Sequence, residues 1–217
     1  MEDGKIAVGS DELTLDVYFP TEEKTGLRFR LHAPFLLTDN RGNIKRGEPL
    51  NDQLLRECAV LLAESLPKLR DLGLLDVNCL ACLPIGDEAP AFRSLSDAVT
   101  AALKGDYLLP TDDGCHSRAG ELRLARGAAV RTLVTPEQLG DLMGADGPLR
   151  WVTSSVTENK PVGFWNYLQE TVGVPEVDPA LFARRLSSTF LEKQPDAWMA
   201  RLYGFLKGQR ALWERRS

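Results

Sequence analysis

The strongest constraint on this chain is a change of hydrophobic period after Pro34. Before it, Leu13, Leu15, Val17 and Phe19 alternate with other residues. Leu27, Phe29 and Leu31 repeat the alternation against Arg28, Arg30 and His32. A period of two puts each apolar set on one face of a strand. Beyond Pro49, Leu50, Leu54, Leu55, Cys58, Leu61 and Leu62 recur at spacings of three and four. That spacing is one face of a helix. Strands first, then mixed structure, then helices describe an α+β fold: amino-terminal antiparallel strands packed with helices, followed by a mainly helical carboxy-terminal part.

The same reading places individual elements. "KIAV" (5–8) is a short strand. Residues 13–19 and 27–35 are antiparallel neighbours joined by "PTEEKTG". Pro67 kinks or ends the first long helix, because it has no amide hydrogen and clashes with the preceding turn. "KLRDLG" stops at Gly73, a left-handed cap. "CLACLP" (79–84) reads as a short buried strand, 91–105 as a helix and 107–111 as a strand. The turn-rich "DDGCHSRAGE" (112–121) is the best internal boundary. It divides the chain into a 1–112 αβ domain and a smaller, mostly helical 113–217 domain. In the second part, 149–153 reads as a strand and 135–144, 164–173, 178–193 and 195–209 as helices. Thr135 and Asp178, each before a proline, are strong helix starts.

Composition removes several classes of function. A net charge of -5 argues against a general nucleic-acid binder. No apolar run approaches the length needed to cross a bilayer. The acidic start lacks the apolar core of a signal peptide, so the expected location is cytoplasmic, with the four cysteines reduced. There is no G-x-x-x-x-G-K-[ST], no G-x-G-x-x-G after a strand and no G-x-S-x-G. Cys79 and Cys82 form a C-x-x-C, with Cys115-His116 downstream. The adjacent second pair is poor geometry for a closed tetrahedral zinc site, and buried apolar cysteine is the better reading. Aromatic residues gather in the carboxy-terminal third. Core packing explains most of them, while Trp198, Tyr203 and Trp213 are the candidates for a docking surface.

One polar segment stands apart. After the second alternating stretch comes "TDNRGNIKRG", which carries Asn40, Arg41, Lys45 and Arg46 between a strand and a helix. Arginine suits a phosphate because its planar fork donates several hydrogen bonds and its charge is permanent. From the residues alone, a solvated turn and a loop that presents a cation both fit.

The block "VYFPTEEKTGLRFRLHAPFLLTDNRGNI" resembles the motif that ends the ATPase-like portion of sacsin and of large bacterial sacsin-like proteins. It supplies Phe19-Pro20, Thr25-Gly26-Leu27, Phe35 and Asn40-Arg41. "LNDQLLRE", "GLLD", "LACLP", "YLLPT" and "FLEKQPDAWMARLYGFL" extend the likeness more loosely over most of the chain. Those proteins are similar to the heat-shock chaperones of the ninety-kilodalton class and to the wider GHKL ATPases. The resemblance implies a middle, transducer-like region of a larger chaperone-type ATPase. ATP and Mg would be held by a separate amino-terminal nucleotide domain, since this chain has no E-x-x-x-N helix and no D-x-G-x-G. It also implies that Arg41, with Lys45 as second candidate, reaches the γ-phosphate, that Asn40 orients the loop and that Arg46 adds positive potential. The family commonly has an acidic residue after the arginine, where this chain has Gly42. The partners so implied are the nucleotide domain and a client protein, with neither nucleic acid nor membrane. No ATPase activity is expected of this chain alone. The alternative is a non-catalytic module that binds a client or partner.

Overall fold

A computed structural model describes residues 13–209. The expected strand at 5–8, Trp213 and the basic pair Arg215-Arg216 lie outside them. Strand β1 (Thr14–Val17) turns back at once into β2 (Phe19–Lys24), with Val17 opposite Phe19 and Tyr18 at the tip. "PTEEK" is therefore strand and not a connection, which corrects the expected pairing. Two hydroxyls help close the hairpin: Thr21 donates to the Leu15 carbonyl at 2.8 Å and Thr25 to the Leu13 carbonyl at 3.3 Å.

Residues 27–35 keep the alternation in their burial but form no ladder. Leu27, Leu31, Ala33 and Phe35 are buried, yet the backbone meets the hairpin only at a parallel bridge between Asp16 and His32. Side chains anchor this segment instead. They join Leu55 and Ala59 of the first helix, and Phe92 and Leu95, in an amino-terminal core. Gly26 makes the crossing possible: its φ is 71° and an added Cβ would lie 2.7 Å from the Asp87 carbonyl oxygen.

Helix α1 (Pro49–Asp71) runs through Pro67, so the proline does not end it. Proline removes one hydrogen bond there. Fully buried Leu66 holds the last turn against the central core, and Gly73, at φ 70°, closes it. The run 79–84 is not a strand. Its first part lies in α2 (Val77–Cys82), because the Asp76 carboxylate accepts the amides of Asn78 and Cys79 at 2.9 and 3.0 Å. Helix α3 (Arg93–Gly105) then packs along α1.

Strands β3 (Leu109–Pro110) and β4 (His116–Ser117) pair antiparallel. Strand β5 (Leu122–Ala125) leads to α4 (Ala128–Arg131) and α5 (Pro136–Met143), the latter opened by a reciprocal capping box between Thr135 and Gln138. Strand β6 (Arg150–Trp151) follows. Next come α6 (Phe164–Asn166), continued by a π-helical turn at Tyr167–Val172, and β7 (Glu176–Val177). Strand β5 lies between β6 and β7, parallel to both.

The single helix expected at 178–193 is two, α7 (Pro179–Arg185) and α8 (Ser188–Leu191). Leu186 is extended, and the Ser187 hydroxyl accepts the Phe190 amide to start a new helix. Helix α9 (Asp196–Gly208) completes the fold.

The architecture is α+β, with antiparallel strands at the amino end and a mainly helical carboxy-terminal part. A central core joins Leu103, Leu108 and Leu109 to Leu122, Leu124, Val152 and Phe164, and so draws on both sides of position 112. A third core collects α5, α7 and α9. Among the described residues no helix is long and apolar enough to cross a membrane.

Candidate functional site

The polar segment after Phe35 forms a closed turn. Leu37 and Ile44 make an antiparallel bridge. Inside it, the Thr38 amide donates to the Asn43 carbonyl at 2.9 Å and the Arg41 amide to the Thr38 carbonyl at 2.7 Å. The Asn40 side-chain oxygen accepts from the Thr38 hydroxyl at 2.6 Å and from the Gly42 amide at 3.2 Å. Asn40 thus holds the turn through its own side chain, the usual use of asparagine in such places. The turn lies against β2, where the Glu22 amide donates to the Gly42 carbonyl at 2.9 Å. A Cβ on Gly42 would stand 2.9 Å from a Glu22 carboxylate oxygen.

Two buried polar side chains fix the turn from below. Asn51, in the first turn of α1, is 2% exposed. It accepts the Leu36 amide at 2.8 Å and donates to the carbonyls of Leu36 and Lys45, both at 2.9 Å. Glu23 is 5% exposed. It accepts the Ile44 amide at 3.1 Å and pairs with Arg46 at 2.5 Å.

The four residues singled out by sequence therefore do different things. Asn40 shapes the turn. Arg46 is committed to Glu23, and Lys45 pairs with Glu48 at 2.7 Å. Arg41 is exposed at the tip, and among the described residues no carboxylate lies within ion-pair distance of it. Earlier in the chain, Arg28 and Arg30 are also paired, with Asp87 and Asp16.

Arg41 has φ 56°, in the left-handed region that non-glycine residues rarely occupy. Among the described residues Tyr18, at φ 59°, is its one non-glycine companion. Both line a groove of about 580 Å3, together with Phe19, Pro20, Leu36 and Asp39. The Tyr18 amide donates to His32 Nε2 at 3.3 Å. Tyr18 and Phe19 are each 78% exposed.

Sequence reading missed Asn51, Glu23 and Tyr18 as parts of this site. Asn51 carried a signal, because it stands on the buried stripe of α1 four and eight residues before Leu55 and Ala59. Glu23, between Glu22 and Lys24, carried none.

The other candidates are spread over the fold. Cys79 and Cys82 stand one turn apart on α2, and His116 Nε2 lies 3.1 Å from the Leu75 carbonyl. Among the described residues no group of three or more His, Cys, Asp or Glu side chains is placed to hold a metal ion. Burial pushes the Cys79 thiol up to about 11, with Cys82 and Asp76 adding to the effect. Such a thiol is protonated at neutral pH and is a poor nucleophile. Trp198, a candidate for the alternative docking surface, is instead buried in the third core and donates its indole N–H to the Leu133 carbonyl at 2.7 Å. Tyr203 is exposed.

No protein-family model matches the chain, and neither a curated protein nor a solved structure matches it significantly.

Proposed function

We propose that this chain is the middle, transducer-like domain of a sacsin-like, chaperone-type GHKL ATPase. In this reading Arg41 reaches the γ-phosphate of an ATP held with Mg in a separate nucleotide domain. One observation carries the reading: Arg28, Arg30, Lys45 and Arg46 are ion-paired, whereas Arg41 is exposed with no ion pair among the described residues, on a turn held from below by Asn51 and Glu23. A left-handed backbone at an exposed tip is a conformational cost that a plain surface turn would shed by taking glycine. The nucleotide domain supplies the metal and the bound phosphates. This chain supplies a permanent positive charge where negative charge builds on the transferred phosphoryl group, and the turn fixes that charge in advance. Lys45 is the second cation in reach, because its exposed pair with Glu48 is worth little and is easily exchanged.

The test is reconstitution. The isolated chain should not hydrolyse ATP. Adding the nucleotide domain, in cis or in trans, should give turnover that Arg41→Ala removes while the far-ultraviolet circular dichroism stays unchanged. Full turnover by Arg41→Ala would defeat the assignment.

A second reading has its own support. Tyr18 and Phe19 expose two aromatic rings at a hairpin tip, beside half-exposed Leu36. Exposed aromatic clusters mark protein contacts. A non-catalytic module would bind its client or partner there, and not through the carboxy-terminal helices. Its signature is binding lost in Phe19→Ala and kept in Arg41→Ala.

A further inference from the structure

Helix α1 keeps one long face free. Leu55, Ala59 and Leu66 turn inward, to the amino-terminal and central cores. Away from them, Asp52, Arg56, Val60, Glu64 and Lys68 are all exposed. They stand four residues apart and so form a single ridge along the helix surface. The neighbouring ridge carries Gln53, Glu57 and Leu61. Between the two ridges lies a shallow hollow lined by α1 residues alone.

Two features set this face apart from one built only for water. Its middle is apolar: Val60 is 55% exposed and Leu61 63%. The outer stripe of a plain surface helix is polar there. Its charges are also arranged about that middle. Arg56 and Glu64 stand on either side of Val60, each about 6 Å from it along the axis. Asp52 and Lys68 stand a further turn out. Each position thus carries the charge opposite to that at its mirror position about Val60. Among the described residues none of these four side chains makes an ion pair. Glu57, the remaining charge at the hollow, accepts the Gln53 side-chain amide at 2.8 Å.

An antiparallel copy of the same ridge matches this order. About a two-fold axis through Val60, residues equally far from Val60 face one another, and each contact occurs twice. Arg56 meets the partner's Glu64, and Glu64 meets the partner's Arg56. Val60 meets its own copy, Leu61 fills the groove beside it, and Asp52 faces the partner's Lys68 at the rim. Glu57 falls opposite the partner's Ala63. Ridges of this kind pack into each other's grooves at a crossing of about −50°. A parallel copy would bring like charges together.

We infer that this face of α1 is the contact between two copies of this chain, paired antiparallel about Val60. One helix pair is a small interface, so the association is weak and depends on concentration. It makes no use of the Arg41 turn.

The test is sedimentation velocity of the whole chain over a concentration series, with two charge reversals. The unaltered chain should pass from monomer towards dimer as concentration rises. Arg56→Glu and Glu64→Arg each set like charges opposite one another, so each variant alone should associate at least about tenfold more weakly. Both positions are exposed, so circular dichroism should show an unchanged fold. Mixed in equal amounts, the two variants present opposite charges at both contacts. They should form a mixed dimer about as readily as the unaltered chain forms its own. A chain that stays monomeric to its solubility limit overturns the proposal. So does association that either reversal leaves unaltered, or a mixture that associates no better than its separate components.

Discussion

Glu23 accepts the Ile44 amide at 3.1 Å through one carboxylate oxygen and pairs with Arg46 at 2.5 Å through the other. One buried side chain on the hairpin thus holds the far end of the Arg41 turn. Glu23→Ala leaves the Ile44 amide buried without a partner, which costs about 1–3 kcal/mol. Arg46 is half-exposed and will find water, so its lost pair adds little. Urea unfolding at neutral pH measures the loss.

Asn51 should matter more. It bonds three backbone groups of the segment around the turn; its replacement by leucine leaves the Leu36 amide and the Lys45 carbonyl without that partner, while the Leu36 carbonyl keeps the Lys45 amide at 2.9 Å. The expected cost is more than about 3 kcal/mol. Asp52→Ala, one residue on and exposed, should change stability by less than about 0.5 kcal/mol. Thermal unfolding of the two variants side by side checks the contrast.

These two residues show where the sequence is legible and where it is not. Local rules hold well: the Thr135 capping box, the Asp178-Pro179 start and the apolar stripe of α1 all act between neighbours in the chain. The α+β class follows from the same periodicities. The errors arise where a distant partner or a competing cap decides. "CLACLP" has no period long enough to tell a strand from a helix, and Asp76, outside the run, tips it to a helix. Residues 27–35 alternate as a strand would, yet their backbone gives up the ladder because side chains pack on α1 and α3. In the site, turn chemistry makes Asn40 visible, and the resemblance singles out Arg41. Arg46 and Lys45 look equally available in the sequence, and only the fold commits them to Glu23 and Glu48.

Arg41→Gly separates structure from function. Glycine accepts φ near 56° without a Cβ penalty, at some entropic cost in the unfolded chain. Stability should stay level or rise by up to about 1 kcal/mol, while turnover in the reconstituted ATPase is lost. A thermal melt together with an ATPase assay reads both.

The cysteines give a test by alkaline pH. In the fold the Cys79 thiol is raised from an ordinary 9.0 to about 11, first by burial and then by Cys82 and Asp76. The fold thus favours the neutral thiol. The stability linked to it is present below pH 9 and declines as pH rises from about 9 towards about 11. Cys79→Ser should flatten this alkaline decline. In native labelling at pH 8, exposed Cys115 should react first and Cys79 last.

The central claim is tested most directly by steady-state ATP hydrolysis with the nucleotide domain joined to this chain, comparing Arg41→Ala with Lys45→Ala. The account predicts that Arg41→Ala lowers kcat by about 10³-fold or more, the scale of a charge-supplying arginine, with nucleotide affinity unchanged, and that Lys45→Ala has a small effect. Equal kcat in the Arg41→Ala protein and the unaltered one would contradict it.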